Sequence, residues 1–176
     1  FRNLTGTQTQ DVEVYGGAQT YSQYINSDFG DAQGFVIQFV KRFSGNFSTS
    51  IDYTYSDARG NASDPSDARN AVLGGALPET YIAALNWDQT HTFNATLEYS
   101  QVRSWGFSII ANYFSGQPYT PAVNKNTRVT QNAFPANSGS KPNIFNVDLR
   151  VYKDFDLDPM LLTVFLRVFN LFDANN

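Results

Sequence analysis

Hydrophobic and polar residues alternate at every second position along much of this chain. In residues 47–55 the odd positions are aromatic or apolar, apart from one threonine, and the even positions are small or polar. Because successive side chains of a β-strand point to opposite faces, a period of two predicts a strand with one apolar and one polar face. The same pattern recurs in residues 93–99, 105–113, 145–155 and 160–168.

Two earlier segments also have strand-like patterns. They are residues 33–43, whose polar face is interrupted by Val36 and Val40, and residues 21–25. Together the segments predict about seven strands from one kind of signal. Most of them exceed the ~5–6 residues usual in soluble proteins and match the ~9–11 residues with which a tilted strand crosses a membrane. The strand lengths therefore favour membrane-spanning strands.

The connections between these strands alternate between short and long. Residues 44–46, 100–104 and 156–159 form short turns, whereas residues 57–87 and 116–142 are long and rich in Asn, Ser, Gly, Pro and Asp. Transmembrane β-barrels have tight periplasmic turns and long extracellular loops. Aromatic residues also concentrate at the ends of the apolar faces, as in the girdles at the two membrane–water boundaries. The sequence therefore predicts an all-β fold, a segment of an antiparallel transmembrane β-barrel.

Composition and charge narrow the possible classes of protein. The 176 residues are 15% aromatic and 16% charged, include no cysteine and carry a net charge of −4. No apolar run approaches the ~20 residues of a membrane-spanning helix, which excludes a helical membrane protein. No basic cluster points to a nucleic acid, so no nucleic-acid partner is expected. Disulfides and thiolate metal sites are excluded because cysteine is absent.

Four stretches of the chain, in order, resemble motifs of the TonB-dependent outer-membrane receptors. Residues 87–93 (Trp-Asp-Gln-Thr-His-Thr-Phe) resemble the opening of a barrel strand, and residues 115–121 (Ser-Gly-Gln-Pro-Tyr-Thr-Pro) resemble the exit from a strand into a loop. Residues 146–150 (Asn-Val-Asp-Leu-Arg) and 170–173 (Asn-Leu-Phe-Asp) resemble late strands of these barrels. Residues 28–43 fit the same region.

The resemblance implies that residues 1–176 are a partial receptor barrel domain from the C-terminal part of the barrel, without the plug domain. Such receptors import scarce nutrients, such as metal chelates, vitamins or oligosaccharides, across the outer membrane of Gram-negative-type bacteria, driven through the TonB protein. The implied partners are outer-membrane lipid, TonB, a plug domain and a small-molecule or oligosaccharide ligand. Closed bacterial barrels have an even number of strands, so a count of about seven leads us to expect an incomplete barrel.

Other classes of protein fit the same pattern. A plug-less porin or adhesin-like barrel would share the strands and the loops. A soluble, secreted carbohydrate-binding β-sandwich would instead use exposed Tyr and Trp as a platform for sugar rings. An enzyme is not expected, because hydrolase, P-loop and metalloprotease motifs are absent, and no catalytic or cofactor-binding residue is predicted.

The strongest site candidates are polar residues that alternate with the apolar ones. Charge facing lipid is unfavourable, by about 2–4 kcal/mol for Arg at the bilayer midplane, so these side chains should face the barrel lumen. The lumen-facing candidates are Asp52, Glu98, Asn112, Asp148, Arg150 and Arg167. Tyr119, in a long loop, is a candidate for ligand contact by its location alone.

Three possible metal sites have simpler structural interpretations. The sole histidine, His91, cannot form a multi-histidine site, and we expect it to be structural, with a hydrogen bond near Asp88. The acidic loop at residues 57–69 lacks the EF-hand pattern and contains two arginines that can pair with its carboxylates. Asp154, Asp156 and Asp158 are interpreted as solubilising charges at a turn. No metal site is therefore predicted.

Overall fold

A computed structural model of the protein describes residues 4–14, 17–75, 77, 80–121 and 135–175. Within these residues most of the chain is β-strand, with one short helix. The elements are β1 (Leu4–Val14), β2 (Gly17–Asp28), β3 (Gly30–Ser44), β4 (Phe47–Gly60), α1 (Asp67–Leu73), β5 (Ala83–Ala84), β6 (His91–Ser100), β7 (Trp105–Phe114), β8 (Pro118–Tyr119), β9 (Gly139–Ser140), β10 (Ile144–Leu157) and β11 (Met160–Val168).

The main sheet has seven strands, six of them in the order β11-β10-β7-β6-β4-β3, with β5 paired to β4. The ladders that join β4 to β6, β6 to β7, β7 to β10 and β10 to β11 are antiparallel. The long strands β1 and β2 form a separate antiparallel pair, and β8 and β9 form another. The all-β, antiparallel architecture predicted from the alternation is confirmed.

The turn between β3 and β4 follows from its sequence. Gly45 and Asn46 both adopt positive φ, at 59° and 67°. Two successive residues of this kind define the type I′ turn, whose twist matches that of the two strands it joins. A two-residue turn at Asp158 and Pro159 joins β10 to β11.

The chain divides into two compact units. The first contains residues 1–33, 56–88 and 117–141, and the second contains residues 34–55, 89–116 and 142–176. The first unit holds the β1–β2 pair, helix α1 and the β8–β9 pair. The second unit holds β6, β7, β10 and β11 with the neighbouring parts of β3 and β4.

The sheet of the second unit exposes large apolar side chains. Leu162, Val164 and Leu166 of β11 are each at least half exposed. Among the described residues the buried hydrophobic side chains are Ala58, Leu85 and Val147, and no large side chain is fully buried. No helix in the described part of the chain is long and apolar enough to cross a membrane.

The structure corrects two expectations about the strands. It contains β1, an eighth strand of nine or more residues among those described, where the sequence predicted about seven. Every odd position of residues 4–14 is polar, but glycine and two glutamines occupy the middle of the even face, so the period-two signal is weak. The loop expected from residue 57 to 87 also contains structure: β4 continues to Gly60, followed by α1 and β5. The last residues of β4 pair with β5, a long-range contact that local patterning does not reveal.

Gly106 of β7 provides the space for an aromatic side chain from the neighbouring strand. Tyr152 of β10 is its cross-strand partner, and the ring lies across the glycine, since an added Cβ would be 2.5 Å from the ring. The Tyr152 hydroxyl then reaches the hydroxyl of Ser100 on β6, at 2.5 Å. One tyrosine therefore ties three strands together, and only glycine at position 106 allows it.

Candidate functional site

The strand register brings all six predicted lumen residues onto one face of the sheet. Asp52 of β4 is aligned with Asn94 of β6, which is aligned with Asn112 of β7. Glu98 of β6 is aligned with Ser108 of β7, which is aligned with Arg150. We call this the polar face: the even-numbered positions of β4, β6, β7 and β10 together with Thr163, Phe165 and Arg167 of β11. That this face lines a lumen stays a prediction.

Amide and carboxylate side chains on the polar face are hydrogen-bonded to one another. The Asn112 amide nitrogen donates to the Asn94 side-chain oxygen at 2.8 Å. The Gln38 amide donates to the Asp52 carboxylate at 2.7 Å, and the Ser48 hydroxyl donates to Glu98 at 3.4 Å. Gln38 and Asn94 were not among the predicted lumen residues, although Asn94 lies at a polar alternating position of β6. The polar face therefore contains an ordered network of side chains.

Asp148 joins the two last motifs of the family resemblance. Its Oδ1 accepts a hydrogen bond from the Asn146 amide and another from the backbone N–H of Asn170, both at 3.0 Å. Asn170 has a positive φ of 49° and forms two reciprocal bonds with Ala174, which close a turn after β11. The aspartate therefore holds the chain leaving β11 against β10, which explains why these residue types occur at this spacing.

A shallow cavity of about 170 Å³ opens on the polar face where β7, β10 and β11 meet. Two of its lining residues, Arg150 and Arg167, are directly opposite each other on adjacent strands. The cavity is lined by Ser108, Ile110, Asp148, Leu149, Arg150 and Arg167. Three of the six predicted residues therefore meet at one concave site, which is the strongest candidate for a binding site in the described residues.

The opposite side of the sheet, which we call the apolar face, carries a cluster of rings near each end of its strands. At one end Phe35, Tyr53, Tyr55 and His91 lie with ring centroids 5.5–6.2 Å apart. At the other end Tyr99, Trp105 and Phe107 lie 5.0–6.3 Å apart. The eight steps from His91 to Tyr99 on β6 span about 27 Å along the strand. With a tilt of about 40° this is about 21 Å, close to the ~25 Å apolar band of membrane barrels.

His91 has a structural role on the apolar face. Its Nδ1 lies 2.9 Å from the Tyr53 hydroxyl, so its hydrogen-bond partner there is this tyrosine. Its backbone N–H donates to the Ser115 hydroxyl, while Gln89 donates to the Ser115 carbonyl. These bonds connect the start of β6 to the end of β7. They give a structural reason for the Gln, His and Ser of the motifs at residues 87–93 and 115–121.

Asp88 is a buried anchor in the first unit. It is 4% exposed, and its Oδ1 accepts the backbone N–H of Ala58 at 3.0 Å. Ala58 is 0% exposed, so this N–H has no access to water. The Ala58 carbonyl in turn accepts the N–H of Leu85. The aspartate thus stabilises the end of β4, and it is a structural residue.

In the acidic segment at residues 57–69 one of the two arginines forms the expected pair with a carboxylate. Arg59 forms an ion pair with Asp57 at 2.9 Å. Asp67 accepts the backbone N–H groups of Ser63 and Asp64. Within the described residues no group of three His, Cys, Asp or Glu side chains is placed to hold a metal ion.

The three aspartates near the last turn do not act as one group. Asp154 lies within β10, and its carboxylate accepts the hydroxyl of its cross-strand partner Thr163 at 2.7 Å. Asp156 and Asp158 are exposed at the end of the hairpin. The solubilising role proposed for the set therefore suits the last two, whereas Asp154 contributes to pairing of the strands.

Tyr119 lies in the first unit and is 43% exposed. It pairs with Gly139 across the β8–β9 ladder, and a Cβ on this glycine would lie 2.8 Å from the tyrosine ring. Nearby, the Asn137 amide donates to the Ala84 carbonyl at 2.8 Å. The two long loops are therefore hydrogen-bonded together, and Tyr119 has one side packed on the backbone. Its contact with a ligand stays a prediction.

Asp64 supplies a test of the loop structure by pH. The hydroxyl of Ser66, and then its backbone N–H, donate to the Asp64 carboxylate and lower the pKa of this carboxyl below its ordinary value. A lowered folded-state pKa adds stability above the ordinary pKa, and this stability is lost as the pH falls through the lowered value. We expect Ser66→Ala to raise the pKa of Asp64 towards its ordinary range in an NMR titration of the carboxyl carbon. An unchanged pKa would show that the hydroxyl does not bind this carboxylate.

Together these observations define an antiparallel sheet with one apolar face and one polar face that carries opposed arginines. No protein-family model, no curated protein and no solved structure matches this chain. The function of this chain is therefore inferred from its residues and their geometry.

Proposed function

We propose that this chain is part of an outer-membrane β-barrel, the barrel of a TonB-dependent receptor that imports a scarce nutrient. The observation that carries the proposal is the two-faced sheet of the second unit. Its apolar face carries half-buried and exposed apolar side chains with ring clusters near both ends, while its polar face holds a hydrogen-bonded network and the arginine-lined cavity. Lipid would cover the first face, and water or a plug domain would meet the second.

The connections support the same proposal. The turns after β3, β6 and β10 are short, whereas the connections after β4 and β7 are long and carry α1, β5, β8 and β9. In the proposed orientation the short turns are periplasmic and the long connections are extracellular. Hydrogen bonds at the ends of strands involve five of the motif residues: Gln89, His91, Ser115, Asp148 and Asn170. The motifs that resemble those of the receptors therefore contain residues that stabilise the strand ends.

Cell fractionation, followed by uptake measurements, tests the proposed function. The native polypeptide that carries this sequence should be found in the outer-membrane fraction. Its deletion should abolish growth on one limiting nutrient, and loss of TonB should have the same effect. A soluble, secreted polypeptide that binds oligosaccharides would favour the β-sandwich and refute the proposal. An outer-membrane protein whose transport does not depend on TonB would favour the plug-less porin.

A further inference from the structure

Arg150 and Arg167 form a pair of like charges on the polar face. They are directly opposite in the β10–β11 ladder, where Cβ atoms of paired residues lie about 4.5–5.5 Å apart. Like charges at this separation destabilise a sheet. In the part of the chain that the structure describes, neither guanidinium forms an ion pair with a carboxylate. An anion bound between the two guanidiniums would therefore relieve their repulsion.

Aromatic rings support both guanidiniums without neutralising them. Arg150 lies 5.4 Å from the ring centre of Phe165 and 6.0 Å from that of Tyr152, and Arg167 lies 4.3 Å from that of Phe169. Stacking on a ring restricts the side chain and leaves the N–H donors at the edge of the guanidinium plane free to bind. The two donor groups are therefore positioned in advance.

The cavity beside the arginines has the size and charge for one anionic group. Two guanidiniums and the carboxylate of Asp148 leave one formal positive charge among the lining residues. Asp148 is already held by its hydrogen bonds to Asn146 and Asn170, and the Ser108 hydroxyl adds a donor to the lining. The volume of about 170 Å³ is that of several water molecules at ~30 Å³ each, enough for a carboxylate or phosphate group.

We propose that Arg150, Arg167 and Ser108 bind the carboxylate or phosphate group of a small anionic solute. A planar guanidinium donates two parallel hydrogen bonds to such a group, and an anion between two arginines replaces their repulsion with two attractions. This inference adds the chemistry of a solute to the proposed transport function. It rests on that function in one respect only, that water reaches the polar face.

An NMR titration of the native polypeptide that carries this sequence, in detergent micelles, tests the proposal. Sodium phosphate and sodium acetate are added at constant ionic strength, and the Nε–H signals of the arginines and the amide of Ser108 are followed. We expect saturable shifts at these three residues for at least one anion, with a dissociation constant of about 1 mM or tighter, equivalent to roughly −4 kcal/mol. Absence of saturation with both anions refutes the site.

Matched variants separate this site from general electrostatic attraction. Arg150→Gln and Arg167→Gln should each weaken binding about tenfold, a loss of about 1.4 kcal/mol. Arg103→Gln, which removes an exposed arginine in the turn between β6 and β7, should leave it unchanged. Equal weakening by all three variants overturns the proposal.

A glutamate peptide with blocked termini distinguishes a solute from a protein segment. If the peptide saturates the arginine signals while phosphate and acetate do not, the site binds a polypeptide carboxylate and the small-solute proposal is wrong. Because the titration is done in micelles, its outcome does not depend on whether the parent protein transports anything.

Discussion

Gly106→Ala should destabilise the folded chain by about 1–3 kcal/mol, the usual range for a side chain forced into occupied space. The new Cβ would lie 2.5 Å from the ring of Tyr152, which must then leave the glycine and give up its bond to Ser100. Alanine is ordinarily the better strand residue, by roughly 0.5–1 kcal/mol relative to glycine. The expected destabilisation is therefore opposite in sign to the strand preference for alanine over glycine. The contact with the Tyr152 ring explains this difference in sign.

The sign of the effect should reverse when the ring is removed. In a Tyr152→Ala background, Gly106→Ala should stabilise the chain by about 0.5–1 kcal/mol. Ser100→Ala, which removes only the hydroxyl contact, should destabilise the protein by about 1 kcal/mol. Urea unfolding of the native polypeptide in micelles, followed by tryptophan fluorescence, compares these four variants with the unsubstituted protein. If Gly106→Ala has the same effect with and without Tyr152, the proposed packing is wrong.

Asp88→Ala should destabilise the first unit by about 1–3 kcal/mol, because it leaves the buried N–H of Ala58 without its acceptor. Hydrogen exchange at this amide should accelerate by roughly 5- to 150-fold, since each 1.4 kcal/mol is a factor of ten. Asp88→Asn keeps an oxygen acceptor and should have a smaller effect.

Asp156→Ala is the matched control for the loss of an aspartate. Asp156 is exposed at the end of β10, so its removal should change stability by less than about 0.5 kcal/mol. Exchange at Ala58 that is no faster in Asp88→Ala than in this control would contradict the anchoring role of Asp88.

In the five clearly alternating segments the sequence was sufficient to predict which side chains share a face. The period of two assigns Asp52, Glu98 and Arg150 to one side, and any register that keeps the hydrophobic residues together preserves this assignment. The same argument separates the ring clusters from the polar network. These predictions succeed because they depend only on the parity of positions along each strand.

Cross-strand partners were not predictable with the same accuracy. A turn over residues 156–159 would place Phe165 opposite Arg150, whereas the observed turn at 158–159 places Arg167 there. A shift of two residues keeps every side chain on its face but changes its partner. The opposed arginines, and the cavity beside them, therefore emerge only from the structure.

Contacts between distant segments were also hidden from the sequence. Asp88 occurs in a recognisable motif, yet its partner Ala58 lies thirty positions earlier on another strand. Strand β1 escaped prediction because Gly6, Gln8 and Gln10 interrupt its even-numbered face and leave only a weak amphipathic pattern. In both cases the determining interaction is long-range, and local patterning does not report it.

The central claim is that the apolar face of the sheet meets lipid and the polar face does not. It is tested most directly by spin-label accessibility along β6. The chain contains no cysteine, so single cysteines at positions 92–98 label one site each within it. The native polypeptide is measured in its own membranes, with oxygen as the lipid-soluble and a nickel chelate as the water-soluble collision partner.

We predict that accessibility alternates with a period of two. Labels that replace Phe93, Ala95 and Leu97 lie on the apolar face and should collide more with oxygen than with the nickel chelate. Positions 94, 96 and 98 should show the lower ratio of oxygen to nickel collisions. Ratios that do not alternate, or that favour the nickel chelate at the apolar positions, would contradict a membrane-spanning sheet.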